Sequence, residues 1–180
     1  VVLQTQDEMA EVVRSFNTVA DALCAAEAKY RNIVENSVVG IYQTNLAGQY
    51  LTANPMLAQI YGYQSPTDLI ENLTDIGHKL YVDGDRRQQF MDRMAKDGKV
   101  WGFESQVYRR DGSTIWISEA ARSLMDDQGQ AIGFEGTVVD ISQRKADEQE
   151  IQRLTQRLKN ENLRLEAEID ITRQLQQMLM

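Results

Sequence analysis

Residues Lys99 to Ile141, KVWGFESQVYRRDGSTIWISEAARSLMDDQGQAIGFEGTVVDI, constrain the fold more tightly than any other stretch of the chain. Trp101, Phe103, Ser105 and Val107 alternate with Gly102, Glu104, Gln106 and Tyr108. A period of two is the signature of a strand covered on one face, because successive side chains point to opposite faces. Asp111-Gly112 follows, and Gly tolerates the positive φ that a tight hairpin turn needs. Ile115, Trp116 and Ile117 open a second strand that runs out near Met125. Asp126-Asp127-Gln128-Gly129 makes the next turn, and Ala131 to Ile141 forms a third strand with β-branched residues at Thr137, Val138, Val139 and Ile141. The three read as consecutive antiparallel strands. From Ser142 onward the composition changes abruptly to long, charged and helical.

An earlier hairpin is expected over Ser37 to Ala53. Val38, Val39, Ile41 and Tyr42 form its first strand, Ala47-Gly48 its turn, and Tyr50-Leu51-Thr52 the return. Asn54-Pro55 then signals a helix start, since Asn can cap and Pro suits the first helical position. Met56, Leu57, Ile60 and Tyr61 fill that helix and Gly62 ends it. Ser65-Pro66 opens another helical turn with Leu69 and Ile70 apolar. Asp83 to Lys96 is a longer helix with Phe90, Met91 and Met94 on its apolar side. Strands, a helical block, then strands define an α+β class with a five-stranded antiparallel sheet and short helices on one face.

Long helices flank this domain. In residues 1–36, Met9, Phe16, Leu23 and Tyr30 recur every seven positions, with Val12 or Val13, Val19 and Ala26 between them. That is a heptad seam of about four repeats, which favours a two-helix coiled coil in a dimer. Ser142 to Met180 contains no Gly and no Pro. Ile151, Leu158, Leu165, Thr172 and Leu179 form one continuous row. Leu154 and Leu175 form a second row, which Glu161 and Glu168 interrupt. Leu163 and Ile169 hint at a register slip near the middle. The expected boundaries are a helix over 1–29, a domain over 30–141 and a coiled-coil linker over 142–180. The chain begins and ends inside helices, so it is expected to be a segment of a longer protein.

Charge and motif content narrow the function. The net charge is −8: residues 1–30 carry two basic and five acidic groups and residues 141–180 seven of each, so −5 falls between them. No part is a basic face able to neutralise phosphates, so a nucleic-acid binder is not expected. Cys24 is the only cysteine, which leaves no intramolecular disulfide and no cysteine-rich metal site. No run of 18 apolar residues and no secretory signal pattern occur, so no membrane insertion of this segment is expected. Phosphate-cradling loops, HExxH and GxSxG are absent. His78, Asp83 and Asp85 lie close in sequence and are the residues a small hydrolase could use, but no orienting motif accompanies them. No metal site is expected.

The order of elements, with these residues, resembles a PAS domain and its C-terminal PAC part over Tyr30 to Lys145. The matching pieces are YRNIVENSVVGIYQTNLAGQYLTANPMLAQIYGY, DGDRRQQF, YRRDGSTIWI and GFEGTVVDISQRK. The resemblance implies a helix-lined cavity against one sheet face, and sensing or dimerisation rather than catalysis. Ile60, Met91, Met94, Trp101 and Phe103 are the expected cavity lining. Asp140-Ile141-Ser142 matches the site at which such domains hand over to an output helix. In relatives the Asp commonly pairs with a basic residue of the sheet, for which Arg109 or Arg110 is the candidate. Flavin photosensors of the family need a cysteine in the domain, and Cys24 lies outside it. Haem-binding members use a histidine of the longer helix, whereas His78 precedes that helix. No tightly bound cofactor is therefore expected, and any small ligand is unknown.

Two flanking resemblances complete the reading. DEMAEVVRSFNTVADAL, Asp7 to Leu23, is similar to the end of a HAMP linker, on Asp7-Glu8 and Phe16-Asn17. The final residues, with Arg173-Gln174-Leu175-Gln176-Gln177 and Leu179, resemble the helix leading into bacterial PP2C-type serine phosphatases. The expected protein is a homodimeric, cytoplasmic sensor segment, its full-length form anchored in the inner membrane. It dimerises through Met9, Phe16, Leu23, Ile151, Leu154, Leu158, Leu165 and Leu175. Its output domain would be such a phosphatase, with a histidine kinase or nucleotide cyclase as alternatives and a ligand-free dimerisation scaffold as a third.

Overall fold

The computed structural model describes the backbone of residues 2–179 and the side chains of residues 9–179. The Asp7-Glu8 pair of the HAMP-like match lies outside the described side chains. Two compact units are present, Val1–Val139 and Asp140–Met180. The first unit begins with helix α1 (Val2–Glu35) and the hairpin β1 (Gly40–Asn45) and β2 (Tyr50–Ala53). Helices α2 (Pro55–Tyr61), α3 (Pro66–Asn72), α4 (Ile76–Lys79) and α5 (Arg86–Asp97) follow. Strands β3 (Lys99–Tyr108), β4 (Thr114–Met125) and β5 (Ala131–Asp140) close the sheet, and α6 (Ser142–Met178) makes up most of the second unit.

The five strands form one sheet in the order β2-β1-β5-β4-β3. β1 pairs antiparallel with both β2 and β5, and β3 with β4. This is the α+β architecture with a five-stranded antiparallel sheet and long terminal helices that the alternation predicts. Val38 stands free of the first strand, 85% exposed, and pairing starts at Gly40. His78 lies in the short α4 rather than in a loop, and the longer helix begins at Arg86 rather than Asp83.

One face of the sheet is buried. Tyr42 and Thr44 of β1, Ile115, Ile117, Glu119 and Ala121 of β4, and Phe134 and Val138 of β5 all point into it. Leu57 and Tyr61 of α2, Leu69 of α3 and Phe90 and Met94 of α5 cover it. Phe90 meets Phe103 and Phe134 edge-on, with ring centroids 5.7 and 5.8 Å apart. Each such fully buried side chain contributes about 1.5–3 kcal/mol of burial free energy.

The simple alternation fails in β3. The β3–β4 register shifts between Val100 and Phe103, where Gly102 takes φ +60°. This bulge inserts an extra residue, so Val100 and Phe103 both face the core. Trp101 is thrown to the opposite face, 76% exposed. Its expected place beside Phe103 in the cavity is therefore wrong.

Two positions fix how the layers join. Asn54 is buried and makes four side-chain hydrogen bonds. Its Oδ1 accepts from the Ile41 and Leu57 amides at 2.8 and 3.0 Å, and its Nδ2 donates to the Val34 and Val39 carbonyls at 3.0 Å each. Gly136 of β5 sits opposite Tyr42. A Cβ there would stand 2.4 Å from the Ala120 carbonyl and 2.9 Å from the Tyr42 hydroxyl. Only a residue without a side chain lets Tyr42 cross the middle strand.

Replacing Asn54 with Ala leaves buried amides and carbonyls without partners. We expect Asn54→Ala to lower the unfolding free energy by about 3–4 kcal/mol in urea titrations. Asn54→Asp, which keeps the acceptor and loses the donor, is expected to fall between that variant and the parent.

Candidate functional site

Among the described residues the buried sheet face carries one carboxyl, Glu119, in line with Ile115 and Ile117 on β4. Two strands, one helix and the segment after α4 bring phenols towards it. Tyr42 reaches across Gly136 and donates to Glu119 Oε1. Tyr81, fixed between α4 and α5 by a bridge to Val107, donates to Oε2 at 3.5 Å. Tyr50 of β2 meets Tyr42 edge-on, ring centroids 5.8 Å apart, and accepts from Tyr61 of α2. Tyr42, Tyr50, Tyr81 and Glu119, with Thr44, Ile76, Leu80, Arg87, Phe90 and Phe134, enclose a cavity of about 10 Å³. That is room for about one water molecule.

Arg87 closes this cavity. It leaves α5, passes Gly77 of α4 and ends beside Gly48 of the β1–β2 turn. A Cβ added at Gly77 would lie 3.6 Å from Arg87 Cγ, and one at Gly48 would lie 3.0 Å from Nη2. The guanidinium also lies over the Phe90 ring at 5.3 Å and hydrogen-bonds Tyr81. Arg87 is the only cationic residue lining the cavity.

Burial decides the electrostatics here. It raises the Glu119 carboxyl above its ordinary range, and the Tyr42 hydrogen bond, the Arg87 charge and the Tyr81 hydrogen bond pull it partly back. Burial likewise raises Tyr42, Tyr61 and Tyr81 well above the ordinary phenol range. Tyr50 is raised for the same reason, with the Glu119 charge adding to it.

A second concavity, of about 820 Å³, lies on the opposite face of the sheet. The end of α1, through Tyr30 and Val34, borders it, with Ile41, Gln43, Trp101, Arg122 and Thr137 on the strands. Arg122 Nη2 meets Glu135 there at 2.6 Å, and the Arg122 hydrogen bond holds the Glu135 carboxyl below its ordinary range.

The residues expected from sequence are distributed differently. Ile60, Met94 and Phe103 are buried and Met91 packs against the same core, but none of them lines the cavity at Glu119. They are packing residues, and the side chains that do line it are Glu119, Arg87 and the tyrosines. Period-two counting along β4 places Glu119 on the Ile117 face, and that was the available signal. Arg110 pairs with Asp68 and lies over the Tyr63 ring at 5.4 Å. The Arg109 amide closes the hairpin by donating to the Ser113 carbonyl at 2.8 Å. Asp140 accepts from the Ser142 amide at 2.8 Å, within the first turn of α6, and Ile141 accepts from the Lys145 amide at 2.9 Å.

His78 meets Asp75 at 2.9 Å, while Asp83 accepts from the Asp85 amide at 3.0 Å. The hydrolase constellation is therefore not assembled through His78's contacts. No group of three or more potential metal ligands occurs among the described residues, and no described helix is long and apolar enough to cross a membrane. Met9, Phe16 and Leu23 on α1 are exposed, as are Ile151, Leu154, Leu158, Leu165 and Leu175 on α6.

Comparison with known proteins agrees with this geometry. The PAS domain family profile matches residues 36–143. The sensor histidine kinase TmoS of Ectopseudomonas mendocina is 30% identical over 144 residues, covering 76% of this chain and 14% of that protein. A probable diguanylate cyclase, DgcE of Escherichia coli K12, is 24% identical over 151 residues, covering 83% of this chain and 14% of that protein. The chain thus spans about a seventh of the curated relatives it matches. Among solved structures, the PAS domain of a Colwellia psychrerythraea protein superposes with a TM-score of 0.57 at 22% identity, covering 66% of this chain and 98% of that one.

A carboxyl held above its ordinary value of 4.5 stabilises the fold in its protonated form. That contribution is complete below its unfolded value and is lost as pH rises through the folded one. Glu119→Gln carries no such dependence. The stability of the parent relative to Glu119→Gln is therefore expected to fall as pH rises above the ordinary carboxyl value of 4.5, read in urea titrations; a flat difference would mean that Glu119 is hydrated.

Proposed function

We propose that this chain, which belongs to the PAS domain family, is the sensing and signal-transmitting segment of a larger signalling protein. The observation that carries the reading is α6. Over 37 residues it buries no side chain, yet it holds a heptad row of Ile151, Leu158 and Leu165 with Leu154 and Leu175 beside it. A helix with an uncovered apolar stripe needs a partner helix, and a second copy supplies the same stripe. α1 offers the matching seam at Met9, Phe16 and Leu23.

Within α6, ion pairs such as Arg144–Glu148 and Arg164–Glu168 support the single helix at spacings of four. Glu161 and Glu168 break the seam, so the paired helices are soft enough to change register. In this reading a change at the domain alters the rotation or spacing of the paired helices. That movement regulates a catalytic domain following α6. The segment works in the cytoplasm, with the full-length protein anchored in the inner membrane through a HAMP-like helix.

The terminal resemblance supports a PP2C-type phosphatase output. The similarity to a sensor histidine kinase and a probable diguanylate cyclase supports the second reading, a kinase or cyclase output.

Insertion of two residues after Leu158 in the full-length protein turns the distal seam by about 200° at 3.6 residues per turn. It is expected to change output activity several-fold, and a seven-residue insertion at the same place to restore it. Unchanged output after the two-residue insertion would refute transmission through this helix. Independently, Leu158→Lys with Leu165→Lys is expected to shift the chain from dimer towards monomer in sedimentation velocity.

A further inference from the structure

We propose that the cavity at Glu119 receives a small organic cation, a guanidinium or alkylammonium no larger than the Arg87 head group. Glu119 is its counter-ion, and the rings around the cavity enclose it. The inference rests on the sensory reading above and names the ligand class that the domain senses.

The lining chemistry selects the charge. Tyr42, Tyr50, Tyr81, Phe90 and Phe134 place five aromatic rings around a single carboxylate. Aromatic faces and a carboxylate both attract cations, and the attraction grows when water is excluded. An anion would meet Glu119 in a poorly hydrated space. A neutral molecule that displaced Arg87 would supply no counter-charge to Glu119, whereas a cation replaces the one lost. The hydrogen-bonding partners of Glu119 are neutral phenols, and Arg87 acts on it through its charge.

Arg87 shows how a cation occupies this place. It is the one cationic group among the lining residues, it lies over Phe90 and it reaches Tyr81. It is also tethered at the rim rather than built into the interior: its side chain is half-buried, and its neighbours Gln88 and Gln89 are exposed. Gly48 and Gly77 leave the channel through which it enters. A free guanidinium or amine can take over its contacts when the Arg87 side chain swings out to solvent. The closed cavity holds about 10 Å³, so the volume available to a ligand is that vacated by the guanidinium. This sets the upper limit on ligand size.

The site is also connected to the sheet. Tyr42 binds Glu119 by crossing Gly136, so the contact links β1 to β4 over β5. A cation that draws the carboxylate towards the rim loosens that link and changes the strain across the three strands.

The test is titration of the 180-residue chain with methylguanidinium chloride, read by thermal unfolding and near-ultraviolet circular dichroism. Sodium chloride, N-methylurea and sodium acetate serve as matched controls. Saturable binding of methylguanidinium in the millimolar range is expected, with none of the neutral urea or acetate. Arg87→Ala removes the internal competitor and is expected to tighten binding about fivefold, and Glu119→Gln to weaken it at least about tenfold. Equal binding by N-methylurea, or unchanged binding in Glu119→Gln, overturns the proposal. So does binding confined to Arg87→Ala, which marks an artificial hole.

Should Glu119→Gln fail to fold, Arg87→Ala alone decides, and no tightening overturns the proposal. Binding of urea or acetate in place of methylguanidinium overturns the cation class and leaves the sensory reading standing. If no probe binds while the insertion after Leu158 still alters output, the ligand site falls and helix transmission stands.

Discussion

Asn54 is the side chain on which the arrangement of this domain depends. A single carboxamide satisfies the end of α1, the entry to β1, the first strand itself and the start of α2. Its four bonds use both protons and both lone pairs of the group, so nothing polar is left over in a buried place. Other polar links join the sheet to the helical layer, among them the Arg110 amide to the Tyr61 carbonyl at 2.9 Å and the Tyr108 amide to the Leu80 carbonyl at 2.8 Å, whereas the apolar contacts specify distance but not register. The hydrogen bonds supply the register, and the fully satisfied network makes any alternative seating costly.

Glu119 is the opposite kind of feature. Asn54 is buried in full balance, whereas Glu119 is buried in partial balance, with phenols and a rim arginine offsetting a desolvated carboxyl. Purely structural cores seldom keep such a group, because an apolar residue of equal volume is as good or better for stability. The domain therefore holds one element that gives it a fixed shape and another that responds to charge. Asn54 caps α2 just past the end of β2, and Glu119 lies on β4 of the same sheet.

Much of the architecture was legible because turn chemistry is local. Asp111-Gly112, Asn54-Pro55 and Gly62 act through their own backbone preferences, and the structure places a turn, a capped helix start and a left-handed helix end there. The interior site was less legible for two physical reasons. The bulge at Gly102 breaks the period of two, so counting from Phe103 put Trp101 on the wrong face. The cavity lining comes from six separate segments whose convergence no local pattern encodes. Counting along β4 does place Glu119 inward, but a Glu within SEA reads as solvent-facing unless the strand is followed from Ile115. The methionines of α5 fit the apolar face assigned to them, and they serve packing rather than the cavity.

The passage of Tyr42 over Gly136 binds the history of three positions together. Strand β5 is the middle of the sheet and can gain no side chain at 136 while the phenol crosses it and the Ala120 carbonyl lies so close. A residue acquired there meets both the backbone at 120 and the aromatic at 42. Once the aromatic is gone, the carboxyl at 119 loses its principal donor and becomes a liability. Among descendants of this sequence the three sites are expected to change as a set, and the Gly, Tyr and Glu combination to be inherited or lost together.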